Sequence, residues 1–180
     1  QNEVFVVYPI DNVIGMNCVY YKQATEVKLF HGKRKEEEGL SIMLNDSRAI
    51  GEYCEVNQAA ERIIKEFLPS TITLILRTKR NFAKGVTRDG NIAVRIPSNR
   101  TALELAKESP VITTSANKHN SEIAKSMDEA IQTFGSQCAY LDGEKPMGVE
   151  STIIDLTQDK PEIKRIGALY SSILEGIIEF

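Results

Sequence analysis

Thr71-Ile72-Thr73-Leu74-Ile75-Leu76-Arg77 constrains this chain more tightly than any other stretch. Its β-branched residues lose side-chain freedom in a helix and pack well on a pleated surface. A short, near-continuous apolar run of this kind predicts a strand buried on both faces at its centre. Such a strand belongs in a sheet flanked by other layers, and the preceding residues supply one. In 59–67 (AAERIIKEF), Ala60, Ile63, Ile64 and Phe67 follow the i, i+3, i+4, i+7 spacing of an amphipathic helix, which Leu68-Pro69 closes.

The same reading extends along the chain. Residues 3–8 (EVFVVY) form a β-rich run that Pro9 ends, because proline cannot donate to a ladder. Asp11-Asn12 makes a turn before 13–16, and 19–29 carry mixed helical spacing. Residues 40–44 predict a strand, and Asn45-Asp46-Ser47 offers N-cap candidates for a short helix through Tyr53. Residues 90–97 (GNIAVRIP) predict a strand with Arg95 inside an apolar frame. A helix over 101–107 starts at a Ser98 or Asn99 cap, a strand over 111–114 follows, and Ser126 or Asp128 caps a helix through Phe134. Residues 139–142 and 151–156 are strands around a loop with Gly143, Pro146 and Gly148, followed by a short strand over 162–167 and a closing helix over 169–178. Strands and helices interleave with no repeat and no linker. This predicts a single α/β domain over 1–180, with a twisted mixed sheet, parallel and antiparallel, flanked by helices.

Composition excludes several classes. A length of 180 residues fits one domain with a real core. The net charge of -3 and pI near 5.5 argue against holding nucleic acid by bulk electrostatics. Cys18, Cys54 and Cys138 are odd in number and far apart, which excludes a disulfide framework and a cysteine-built zinc site and suits a reducing cytoplasm. No run reaches the length of a membrane span. The chain opens on Gln1 rather than Met, so a short N-terminal piece is expected to precede it.

Two stretches carry candidate chemistry. Val111-Ile112-Thr113-Thr114-Ser115-Ala116-Asn117 runs from a buried strand into hydroxyls and an amide, groups that donate to phosphate or carboxylate oxygens without carrying charge. An ordinary strand-to-helix turn, with Ser115 or Asn117 as N-cap, is the competing account. Gly32-Lys33-Arg34-Lys35-Glu36-Glu37-Glu38-Gly39 is either a solvated loop or a loop whose cations lie on a phosphate chain. His31 and His119 stand alone, which favours structural or surface roles, and no metal site is expected.

Several segments together resemble the YrdC-like family, which includes the threonylcarbamoyl-adenylate synthases. They are Tyr8-Pro9-Ile10-Asp11-Asn12-Val13-Ile14-Gly15, Leu40-Ser41-Ile42, Thr73-Leu74-Ile75-Leu76, Val94-Arg95-Ile96-Pro97, Thr114-Ser115-Ala116-Asn117, Ser151-Thr152-Ile153-Ile154-Asp155 and Arg165-Ile166-Gly167, in the family's order. The resemblance runs from about Val4 to Gly167 and implies the family's fold. It also implies an enzyme that makes threonylcarbamoyl-AMP from L-threonine, bicarbonate and ATP, with Mg2+ accompanying the nucleotide and pyrophosphate leaving. The product feeds the threonylcarbamoyladenosine (t6A) modification of tRNA. Such chemistry asks for positioning and charge neutralisation more than for a protein nucleophile, so no catalytic side chain is assigned. By resemblance, Arg95, Thr113 and Ser151 bind threonine, and Lys33, Arg34, Asn91, Ser115, Asn117 and Arg165 bind the nucleotide. RNA or tRNA-modification proteins are further candidate partners, and the location implied is cytoplasmic.

The pattern also departs from the family. Ile10 replaces a threonine, Asn12 a Thr or Glu, and Ile14 an aromatic residue. Counted back from Gly39-Leu40, Gly32 and Glu38 replace lysines while Arg34 is kept; with a one-residue insertion, His31 and Lys33 take the Lys-x-Arg positions instead. Ser70 stands where a Pro-Gly-Pro segment has glycine. These changes motivate an alternative: a non-catalytic paralogue acting as a double-stranded RNA-binding module.

Overall fold

In the computed structural model, the described residues are 5–10, 14–18, 40–82, 86–115, 124–168 and 176. Expectations for 19–39, 116–123 and 169–175 therefore lie outside them, among them the helix over 19–29, the charged loop and the body of the closing helix. The described strands are β1 (Phe5–Pro9), β2 (Ile14–Cys18), β3 (Ser41–Met43), β4 (Ile72–Arg77), β5 (Asn91–Arg95), β6 (Val111–Ser115), β7 (Cys138–Tyr140), β8 (Thr152–Asp155) and β9 (Glu162–Arg165). They form one sheet in the order β7-β1-β2-β6-β3-β5-β4-β8-β9. Pairs β1/β7, β3/β5 and β4/β8 are parallel, and the other neighbours are antiparallel. The mixed sheet expected from the interleaved pattern is therefore present.

Pro9 does not stop β1 one residue early. It is the last residue of the strand and stands opposite Ile14, a position where its missing N–H is tolerated.

The helices begin where short polar side chains satisfy their first N–H groups. The 3-10 turn Ser47–Ala49 is capped by Asp46 and runs into α1 (Ile50–Tyr53). Asn57 caps α2 (Gln58–Phe67) by accepting from the amide of Ala60. Asn99, rather than Ser98, caps α3 (Arg100–Leu105), and Ser126, rather than Asp128, caps α4 (Met127–Phe134).

Alternation along the strands separates two faces. On one, Ile42, Ile72, Leu74, Leu76, Ile92, Val94, Ile112, Ile154 and Leu156 join Ile50, Ala60 and Ile63 in the largest apolar cluster, covered by α1 and α2. Val7 packs with Ala130 and Phe134 of α4. On the other face a smaller cluster joins Tyr8, Ile10, Met43 and Val111 to Ala102 and Ala106 at α3. Because α3 is only six residues long, it covers only part of this face. Beyond α3 this face carries polar residues, several of them buried.

Candidate active site

Register brings the polar side chains into rows across the second face. Arg95 ends β5 directly opposite Thr73 on β4 and Met43 on β3. Thr73 in turn stands opposite Ile153 on β8, and Ile153 opposite Arg165 on β9. One row along, Ala93, Ser41 and Thr113 are neighbours on β5, β3 and β6. Asn91 begins β5 opposite Arg77 on β4, and Ser115 ends β6 opposite Gly15 on β2. Rows on one face repeat about every 7 Å along a strand, and strands lie about 4.8 Å apart. Arg95 and Thr113 thus occupy the first two rows, Ser151 lies just before β8, and Asn91 lies two residues beyond Ala93 on β5.

Several polar residues on this face are buried: Arg95 is 8% exposed, Thr73 6%, Ser151 4% and Thr113 1%, while Ser41 and Arg165 are half-buried. Buried polar groups persist when hydrogen-bonded, and bonds join these residues across long chain separations. The Tyr8 phenol and the Thr113 hydroxyl lie 2.8 Å apart, and Ser41 Oγ donates to the Thr113 carbonyl at 3.2 Å. Thr73 Oγ1 and Ser151 Oγ lie 2.7 Å apart. Arg165 donates from Nε to the Ser151 carbonyl at 3.0 Å and from Nη2 to Ser151 Oγ at 3.3 Å, while its Nη1 meets Glu150 Oε1 at 2.9 Å. Burial pushes the Tyr8 phenol well above its usual pKa, and the Thr113 bond and the Arg95 charge pull it only part of the way back. Tyr8 is therefore a neutral hydroxyl, not a base, at neutral pH.

Backbone contacts hold the Ser151 segment in place. The amide of Gly167 donates to Thr152 Oγ1 at 3.0 Å and that of Ala168 to the Glu150 carbonyl at 2.8 Å. A Cβ at Gly167 would fall 2.2 Å from the Glu150 carbonyl oxygen and 2.5 Å from the Ser151 carbonyl carbon. Glycine is required there by the close approach of the two segments.

The sequence-derived assignments distribute as follows. Arg95, Thr113, Ser151 and Arg165 are brought to the same face, with Arg165 in direct contact with Ser151. Thr113 gives its hydroxyl to Tyr8 rather than to open space. Asn91 lies at the far end of β5 from Arg95, beside the turn at Arg88. Ser115 ends β6. Lys33, Arg34 and Asn117 lie outside the described residues, as do Asn12, Gly32 and Glu38.

Tyr8 and Thr73 were not singled out as site residues by the sequence. The available signal for Thr73 was its place on the odd-numbered face of β4, opposite Ile72, Leu74 and Leu76. Ile10 is fully buried in the cluster beneath α3, so it fills core and does not line open space. Ser70 costs no backbone strain, since Asp89 alone has positive φ among the described non-glycine residues.

Comparison with known proteins adds to this geometry. The family model Sua5_yciO_yrdC, described as telomere recombination, matches residues 1–167. The chain belongs to the Sua5/YciO/YrdC family. It is 31% identical over 180 residues to "Putative threonylcarbamoyl-AMP synthase" of Methanocaldococcus jannaschii, covering 98% of this chain and 82% of the relative. It is 28% identical to the threonylcarbamoyl-AMP synthase of Pyrococcus abyssi, covering 96% of this chain but only 53% of that relative. Among solved structures, P. abyssi Sua5 complexed with L-threonine matches at a TM-score of 0.87 and 27% identity, over 97% of this chain and 54% of the other. Escherichia coli YciO matches at a TM-score of 0.81 and 25% identity, over 92% and 84% respectively. The fold expected of a Sua5/YciO/YrdC member is thus the fold observed.

Proposed function

We propose that this Sua5/YciO/YrdC chain is a threonylcarbamoyl-AMP synthase-like enzyme, acting on L-threonine, bicarbonate and ATP and releasing pyrophosphate. The observation that carries this reading is Arg95. Its side chain is buried on the polar face, at the position opposite Thr73 and close enough for its charge to act on the Tyr8 phenol, and it matches the family arginine that meets the threonine carboxylate. A buried arginine beside neutral hydroxyls suits a planar anion, because the fork binds it bidentately and the hydroxyls add donors without repulsion. The likeness to a Sua5 structure holding L-threonine supports the same assignment.

In this reaction the threonine amine and CO2 form a carbamate, and the carbamate oxygen attacks the α-phosphorus of ATP. The new O–P bond replaces the bond to the β-phosphate, and pyrophosphate leaves. Arg95 neutralises the threonine carboxylate, with Thr113 and Ser151 shaping its pocket. Ser115, Asn91, Asn117, Lys33, Arg34 and Arg165 are assigned to the nucleotide. The contribution of such residues is positioning and charge neutralisation. Among the described residues no cluster of three His, Cys, Asp or Glu side chains is placed to hold a metal ion. Mg2+ is assigned to the ATP phosphates as part of that substrate, as the family resemblance implies. The product would serve t6A modification of tRNA, with modification proteins as partners and a cytoplasmic location. The relatives' names favour the synthase over the RNA-binding alternative.

Pyrophosphate release from ATP, with and without L-threonine and bicarbonate, tests the reading. Release that depends on both co-substrates and disappears in Arg95→Ala is the expected result. ATP binding with no such release would overturn it.

A further inference from the structure

Thr73 is a buried hydroxyl to which the synthase reading assigns no task, and its proton can be followed. A threonine or serine hydroxyl has one proton and two lone pairs, whereas an arginine nitrogen only donates. Arg165 Nη2 therefore donates to Ser151 Oγ, at 3.3 Å. The Thr73–Ser151 contact of 2.7 Å uses the proton of one of the two hydroxyls, and the other proton is left over. Arg95, directly across the ladder from Thr73, offers only further protons. A donor polarised by a charged neighbour passes that polarisation along a hydrogen-bonded chain, which favours the order Arg165 to Ser151 to Thr73. In that order the leftover proton belongs to Thr73, whose partner across the ladder is Arg95. Cross-strand neighbours have Cβ atoms about 5 Å apart, close enough for both side chains to reach one carboxylate.

We propose that Thr73 is a substrate-binding residue which, with Arg95, forms a two-donor cradle for the carboxylate of the bound amino acid. This rests on the amino-acid site of the proposed synthase. It adds a ligand contact on β4 and makes Ser151 and Arg165 the source of that contact's polarity.

The test is calorimetric titration of L-threonine in the presence of ATP, using the full chain and variants matched for thermal stability. Thr73→Val keeps the side-chain shape and removes the hydroxyl, and is expected to weaken threonine binding about tenfold, the size of one hydrogen bond to a charged group. Thr73→Ser restores the hydroxyl and is expected to recover most of that loss, while ATP binding alone stays unchanged in both. Threonine binding by Thr73→Val equal to wild type overturns the proposal. So does a Thr73→Ser variant as weak as Thr73→Val, since a restored hydroxyl that recovers nothing would assign the effect to packing at this position. If Thr73→Val does not fold, Thr73→Ala decides: weaker threonine binding that Thr73→Ser recovers supports the proposal, and unchanged binding overturns it. A wild type that does not bind L-threonine overturns the synthase reading as well. A wild type that binds it indifferently to Thr73 overturns this inference alone.

Discussion

Tyr8 and Thr113 sit 105 residues apart in the chain and share a 2.8 Å bond under the site. Tyr8→Phe keeps the ring in its cluster and removes only the phenolic oxygen, so a loss of about 1–2 kcal/mol is expected, the size of a buried hydrogen bond whose partner is left behind. A fall in the urea midpoint at unchanged slope would report it; an unchanged midpoint would mean the bond adds nothing net. The sequence marked Thr113 because it lies in a run of hydroxyls, and Arg95 because apolar neighbours frame it. It did not mark Thr73. A threonine in a β-branched strand is what propensity favours anyway, and only the partner opposite it gives the hydroxyl a role.

At the scale of elements, β9 is clasped to the start of β8 through Gly167. Gly167→Ala would drive a Cβ into the backbone of Glu150 and Ser151, which cannot move aside as a flexible side chain would. Displacing that segment is expected to cost about 1–3 kcal/mol, as overpacking does, and to lower threonine affinity along with stability. Thermal melting and threonine titration of the same variant would check both. Separately, Asn57 caps α2 by accepting from Ala60, and its amide also donates to the carbonyls of Leu156 and Gln158. Asn57→Ala should therefore cost more than the ~1 kcal/mol of an isolated cap, measured by the shift in denaturation midpoint. Apart from β2, which the sequence did not mark as a strand, the helix and strand positions were legible within a residue or two, since each rests on local periodicity and a nearby cap. What the local pattern left open was which cap acts: Asn99 over Ser98, and Ser126 over Asp128. Adjacent polar residues are equally able to cap, and the chain's path into the helix selects one.

For the molecule as a whole, burial of the thiols sets the response to alkaline pH. Burial pushes Cys54 up to about 12, with the Lys79 charge opposing it weakly, and pushes Cys138 up to about 11, against 9.0 for a free thiol. Both groups are neutral in the fold and ionise earlier in the unfolded chain. Their contribution is therefore fully present below pH 9 and lost as pH rises towards 11 and 12. A denaturation midpoint that falls across that window is the expected outcome, with the Tyr8 phenol acting in the same direction at the top of it. At pH 8 burial, which both hides the Cys54 sulfur and disfavours its thiolate, should make it alkylate far more slowly than a free thiol, as read by peptide mass spectrometry after iodoacetamide.

Taken alone, the sequence determined where the described strands other than β2 and the helices lie, that they form one α/β sheet structure, and which family the chain resembles, because these follow from short-range periodicity, capping and ordered motifs. The strand order was decided only by the tertiary structure. Pairing β4 with β8 in parallel lays Ser151 on Thr73 across 78 residues of chain, and pairing β5 with β4 places Arg95 against the same threonine. No local signal encodes these contacts. They follow from which strands bury each other's apolar faces, and the polar cradle is what that choice leaves beyond α3.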